Sequence, residues 1–125
     1  MSEEKKRLLV LDDSREFIFL LTSLFDYHKL EVDAENDPDV ALKLASENNY
    51  DAIMTDYMMD KMDGLSFAES IRSSEDCKGN CKIILLTAKN LDNTELQKVN
   101  DLKITYLKKP ILPNTLKEKI LELIG

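Results

Sequence analysis

Apolar residues along this chain fall into two alternating kinds of pattern. Leu8-Leu9-Val10-Leu11, Ala52-Ile53-Met54-Thr55, Ile83-Ile84-Leu85-Leu86 and Ile104-Thr105-Tyr106-Leu107 are short, nearly continuous apolar runs bounded by polar residues. Runs of this kind predict strands buried on both faces, as in a parallel sheet. Glu31-Val32-Asp33-Ala34-Glu35 alternates polar and apolar residues instead, which predicts a half-exposed strand at a sheet edge. Between these segments apolar residues recur at helical spacing. The stripes are Phe17, Leu20, Leu21, Leu24 and Phe25; Val40, Ala41, Leu44 and Ala45; Leu65, Ala68 and Ile71; a weaker Leu96 and Val99; and Leu116, Ile120, Leu123 and Ile124. Asp37-Pro38 supplies a cap and a first-turn proline for the second helix.

Strand and helix thus alternate five times. Right-handed crossovers that cover both faces of a parallel sheet make this a doubly wound α/β fold, (βα)5, with residues 1–125 expected as one domain. Sheets of this class bind ligands beyond the carboxyl ends of their strands.

Charge and composition narrow the function. With 24 acidic and 17 basic residues the chain carries a net charge of −7, which argues against direct contact with nucleic acid or anionic membranes. No run approaches the roughly 18 apolar residues of a membrane span, and the first seven residues lack a signal-peptide core, so a soluble, cytoplasmic protein is expected. Cys77 and Cys81 flank a polar turn-like stretch far from His28, the single histidine. That leaves zinc without a ligand set; a redox pair is the alternative reading, and two incidental reduced thiols in a surface loop are expected.

The polar residues that end the strands carry the chemistry. The first run leads into Asp12-Asp13, the third strand into Asp56, the fourth into Thr87 and the fifth into Lys109-Pro110. An Asp after a strand is commonly a turn residue and Lys-Pro is common in loops, but the fold sets all five polar side chains on one rim. Three converging carboxylates repel one another and call for a hard cation with oxygen ligands, for which Mg²⁺, with its retained waters, is the best match. The spacing of a calcium-binding EF-hand loop is absent. A lysine and a hydroxyl beside that cation suit a transferring phosphoryl group, and a carboxylate can attack phosphorus without a base.

Asp12-Asp13, Asp56 with the following Tyr57 to Gly64, Thr87-Ala88 and Tyr106-Leu107-Lys108-Lys109-Pro110 together resemble the receiver domains of two-component response regulators. The likeness runs from about Lys6 to Ile124. It implies a flavodoxin-like five-stranded parallel sheet of order 2-1-3-4-5. It also implies Asp56 as phosphoacceptor, Asp13 and Asp56 as side-chain Mg²⁺ ligands, Asp12 acting through bound water, and the backbone carbonyl of Met58 as a further ligand, with Mn²⁺ as a substitute ion. Lys109 holds the phosphoryl group in this reading, and its bond to Pro110 is cis. Thr87 and Tyr106 form a switch that reshapes the surface of the fourth helix, fifth strand and fifth helix. The implied donor is a sensor histidine kinase or histidine phosphotransfer protein, with acetyl phosphate as a small-molecule substitute, docking along the first helix near Phe17, Ile18 and Leu21. Such a domain is a regulatory phosphoacceptor rather than an enzyme, and whether it stands alone or belongs to a longer regulator is left open.

Two places depart from the family pattern, and two more set its timing. Asp60 replaces a common proline and is expected to loosen its loop, Asp101-Leu102-Lys103 lacks the usual glycine before the fifth strand, and Met58 and Lys89 occupy positions that tune phosphoryl lifetime. Two other readings compete with a regulated receiver. An aspartate-nucleophile phosphohydrolase of the haloacid dehalogenase type needs an acid two residues after the nucleophile, where this chain has Met58. A receiver-like scaffold that binds without phosphorylation has no need to gather repelling carboxylates.

Overall fold

The computed structural model of the protein describes residues 6–25, 30–74 and 81–124. In chain order the elements are β1 (Lys6–Leu11), α1 (Arg15–Leu24), β2 (Leu30–Glu35), α2 (Pro38–Glu47), β3 (Ala52–Thr55), α3 (Gly64–Ser73), β4 (Lys82–Thr87), α4 (Asn93–Asp101), β5 (Ile104–Lys108) and α5 (Pro113–Ile124). The strands form one parallel sheet in the order β2-β1-β3-β4-β5. This is the doubly wound, flavodoxin-like arrangement, and the alternating segment β2 lies at its edge.

Strand residues point alternately to the two faces, and each face builds its own core. Leu9, Leu11, Ile53, Ile83 and Leu85 pack under α2, α3 and α4, against Ala41, Phe67, Ala68, Ile71 and Val99. Leu8, Val10, Met54, Ile84 and Leu86 pack under α1 and α5, against Leu21, Phe25, Leu116 and Ile120. The central strands are closed to water on both sides, which is why their sequences show no alternation.

The helical stripes are wider than the seams that touch the sheet. Leu20, Val40 and Leu96 are exposed, whereas Leu21, Ala41 and Val99 at neighbouring positions are buried. Side-chain oxygens of Ser14, Asp37, Asp63 and Asp92 cap the amino ends of α1 to α4. Asp92 and Glu95 complete a reciprocal capping box at α4.

Two sequence expectations change here. Cys81 is buried and disulfide-bonded rather than a reduced thiol in a surface loop, since it packs into the core with Ile71, Ile83 and Ile104; Cys77 and His28 lie outside the described residues. The missing glycine before β5 is met by Lys103 itself, which adopts the left-handed conformation with φ of 56°. Arg72 supports that turn, its guanidinium donating to the carbonyl oxygens of Leu102 at 2.8 Å and Lys103 at 3.2 Å.

Candidate functional site

Strand register builds the site before any side chain is considered. Leu11 lies opposite Thr55, so Asp12 and Asp56 leave adjacent strands side by side, and the Asp56 N–H donates to the Leu11 carbonyl at 3.3 Å. On the other side Thr87 lies opposite Lys108, and the Lys109 N–H donates to the Thr87 carbonyl at 2.9 Å. The Lys109–Pro110 peptide bond is cis.

The lysine ammonium meets the carboxylates across this rim. Lys109 Nζ lies 3.1 Å from Asp56 Oδ2 and 3.7 Å from Asp12 Oδ2. The other oxygen of Asp56 is held by its own loop, accepting from the Tyr57 N–H at 2.6 Å and the Met58 N–H at 3.4 Å. Asp12 is buried and accepts from the Ser14 N–H at 2.9 Å. Burial pushes its carboxyl above the usual carboxylate range, and the nearby Asp56 and Asp13 add to that push; the Ser14 N–H and the Lys109 ammonium oppose it.

Not every predicted residue joins this contact. Asp13 is exposed and turns into a shallow cleft beside Arg15, Glu35 and Asn36. Among the described residues no three acidic, histidine or cysteine side chains surround one metal position. Asp12 and Asp56 share Lys109, while Asp13 stands near enough to act on Asp12 by charge. The donor set still fits Mg²⁺. All its atoms are oxygens, one carboxylate is desolvated and repelled by two others, and Mg²⁺ needs only one or two protein carboxylates besides water.

Thr87 and Tyr106 meet at Lys89. The buried Thr87 hydroxyl accepts from the Lys89 N–H at 3.2 Å, and the Tyr106 hydroxyl donates to the Lys89 carbonyl at 2.7 Å. The Lys89 side chain is gripped as well. Its Nζ reaches the Glu95 carboxylate oxygens at 2.9 and 2.7 Å and sits 4.4 Å from the centre of the Tyr57 ring, and the neighbouring Glu95 pushes the Tyr57 hydroxyl above its usual range. Lys89, then Tyr57, hold the Glu95 carboxyl down at about 2. This cluster joins the residue after Asp56 to the first turn of α4. Sequence reasoning missed it, although the capping-box spacing of Asp92 and Glu95 marked the position.

The loop after β3 is tied to the rest of the fold at Lys61 and Gly64, on the far side of Asp60. Lys61 Nζ pairs with the α2 cap residue Asp37 at 2.8 Å, and the Gly64 N–H donates to the Tyr57 carbonyl at 2.8 Å. Gly64 is required by close approach, since a Cβ there would stand 2.2 Å from the Asp56 carbonyl oxygen.

Residues 8–121 match the family model of the response regulator receiver domain. The chain belongs to that family. Transcriptional regulatory protein SrrA of Staphylococcus aureus is 29% identical over 106 residues, which span 85% of this chain and 42% of SrrA. This receiver domain thus spans about two-fifths of the length of that relative. Among solved structures it is similar to the chemotaxis protein CheY4 of Vibrio cholerae, with 25% identity, a TM-score of 0.84, and coverage of 95% of this chain and 98% of that one. The receiver domain of sensor histidine kinase PA1611 from Pseudomonas aeruginosa has the same fold, with 24% identity, a TM-score of 0.81 and coverage of 97% and 98%. That domain has magnesium coordinated in its active-site cleft.

An apolar groove of about 460 Å³ opens beside the receiver site, between α1 and the start of α5. Phe17, Leu20, Leu24, Ile111 and Leu116 line it together with Lys109. Of the three docking candidates on the first helix, Leu21 belongs to the core, whereas Phe17 and Ile18 are half-buried. Among the described residues no helix is long and apolar enough to cross a membrane.

Proposed function

We propose that this receiver domain accepts a phosphoryl group on Asp56 and uses it to alter the surface formed by α4, β5 and α5. The observation that carries the reading is the 3.1 Å contact between Lys109 Nζ and Asp56 Oδ2 at the carboxyl edge of the sheet. A carboxylate oxygen of Asp56 attacks phosphorus in line with the leaving group. The bond from phosphorus to the donor breaks with its electron pair on the donor atom, a histidine nitrogen in a kinase or phosphotransfer protein and a carboxylate oxygen in acetyl phosphate.

Lys109 stands one hydrogen bond from the acceptor oxygen and can follow the incoming negative charge, while the Tyr57 and Met58 N–H groups keep the other oxygen oriented. Asp13 and Asp56, Asp12 through water, and the Met58 carbonyl are the groups that would hold Mg²⁺. When bound, the ion neutralises charge on the equatorial phosphoryl oxygens, and Mn²⁺ would serve in the same way. No proton donor follows Asp56 at the second position, since Met58 ends in an exposed thioether. This supports a stored phosphoryl group and a regulatory role over multi-turnover hydrolysis.

The switch follows from the hydrogen bonds of Lys89. The Thr87 hydroxyl, which accepts from the Lys89 N–H, keeps its own proton to donate to a phosphoryl oxygen, and the carbonyl of the same Lys89 accepts from Tyr106. Movement at Thr87 therefore reaches Tyr106 on β5 and, through Glu95, the start of α4. A sensor histidine kinase or phosphotransfer protein is the donor in this reading, docking over the α1 groove in the cytoplasm.

Intact-mass analysis with acetyl phosphate and Mg²⁺, comparing the parent with Asp56→Asn, tests the reading. A gain of about 80 Da, one phosphoryl group, on the parent alone is expected from covalent capture. An equal gain on both proteins, or none on the parent with acetyl phosphate or a phosphohistidine donor, overturns it.

A further inference from the structure

We infer that Phe17 is a positioning residue for Lys109, its aromatic face aiming the ammonium at the acceptor carboxylate. This deepens the proposed phosphoacceptor role of Asp56 and rests on it. Lys109 Nζ lies 5.0 Å from the centre of the Phe17 ring, in addition to its contacts with Asp56 and Asp12. A ring face attracts a cation through its quadrupole, and the attraction grows as water is removed. The Lys109 side chain is 27% exposed, so it is neither free in solvent nor enclosed.

The ring is itself fixed relative to the carboxylates. Asp12 Oδ1 accepts from the Ser14 N–H at 2.9 Å, and Ser14 Oγ accepts from the Phe17 N–H at 3.2 Å as the cap of α1. The path from Asp12 through Ser14 and Phe17 to Lys109 returns to Asp12 at 3.7 Å, a closed circuit. Its consequence is directional. A lysine stem has many rotamers, and the apolar groove at its side offers no polar partner apart from Lys109 itself among the residues that line it. The π face occupies that side and keeps the charged end toward Asp56. Leucine at the same place would fill space without attracting the ammonium.

The test compares Phe17→Leu and Phe17→Tyr with the parent in three measurements: the rate of Asp56 phosphorylation by acetyl phosphate with Mg²⁺, the thermal midpoint, and the NMR shifts of the Lys109 ε-methylene protons. The parent is expected to show those protons displaced by the ring current. Phe17→Leu should lose the displacement and phosphorylate about fivefold more slowly, equivalent to about 1 kcal/mol in the barrier. Phe17→Tyr, which keeps the ring face, should restore both. A Leu variant at the parental rate, or a Tyr variant as slow as Leu, overturns the positioning role, and so does a parent with no ring-current displacement. A parent that takes no phosphoryl group in the presence of a displaced Lys109 signal overturns the reading of Asp56 while leaving the contact established.

Discussion

Gly64→Ala tests whether the loop after β3 is built around Asp56, the proposed acceptor. An alanine Cβ at position 64 would lie 2.2 Å from the Asp56 carbonyl oxygen, 2.9 Å from its carbonyl carbon and 2.9 Å from Leu85 Cδ1, so restoring a 3.0 Å contact requires a shift of at least 0.8 Å. Leu85 could turn its methyl aside. The Asp56 carbonyl cannot, because it belongs to the backbone and accepts from the Thr55 hydroxyl at 2.9 Å. Forced overpacking costs about 1–3 kcal/mol, and the better helix propensity of alanine returns less than about 1 kcal/mol at a first-turn position. A net loss of about 2 kcal/mol is expected, or a fall in midpoint of roughly 6–10 °C for a domain of this size. Function should suffer beyond stability. Displacing Asp56 by close to 1 Å relative to Lys109 should slow phosphorylation by about 10–100-fold, even at temperatures where the variant is fully folded. Urea and thermal unfolding give the first quantity, and the mass-detected rate of adduct formation gives the second. An alanine variant as stable as the parent and labelled at the same rate would refute the close-approach argument.

Replacing Lys103 by glycine should stabilise the domain by about 0.5–1 kcal/mol, since the left-handed conformation costs a residue with a Cβ about 1–2 kcal/mol and glycine offsets part of that through its freer unfolded chain; an unchanged or lowered urea midpoint would contradict this. Glu95 should titrate near pH 2 when followed by carboxyl NMR, and its midpoint should rise toward the ordinary value in Lys89→Met. Because the folded-state value is depressed, the stabilisation from this cluster is present above the ordinary value of 4.5 and disappears as pH falls toward 2. Asp12→Asn should raise the thermal midpoint at neutral pH while impairing Mg²⁺-dependent phosphorylation. Its folded-state carboxyl lies above the ordinary value of 3.8, so the cost of the charge is absent below that value and grows as pH rises through the folded one; the advantage of the variant should therefore shrink at acid pH.

The sequence carried the strands and their rim because both depend on local pattern. Continuous apolar runs are the signature of burial on two faces, and the residue after such a run must lie at the sheet edge whatever the rest of the chain does. The order of the strands came from family likeness, with the alternation in β2 agreeing. Helix faces were read less accurately. Leu20 and Leu21 are equivalent in composition and adjacent on α1, and only the angle at which the helix meets the sheet decides that Leu21 is core and Leu20 lines a groove. Contacts between loops were not legible at all. Tyr57, Lys89 and Glu95 come from three segments whose spacing in space is set by register, and each has an ordinary local role when read alone. Lys103 gave no signal either, because the left-handed turn normally announces itself by glycine and here relies on Arg72 from α3.

What separates this rim from an ordinary sheet edge is that its charges are arranged against stability. Asp12 is nearly closed to water, and burial together with two neighbouring carboxylates disfavours its ionised form, while one ammonium is shared between it and Asp56. A structural ion pair would match one carboxylate to one cation and keep both hydrated, since exposed pairs contribute little and buried mismatched ones are costly. Here negative charge exceeds positive, and the surplus faces open solvent on the side of Asp13. An arrangement of this kind gains stability when further positive charge arrives, so cation binding and the folded state should reinforce one another. Mg²⁺ titration should therefore raise the thermal midpoint of the parent by mass action, and should raise that of Asp12→Asn much less.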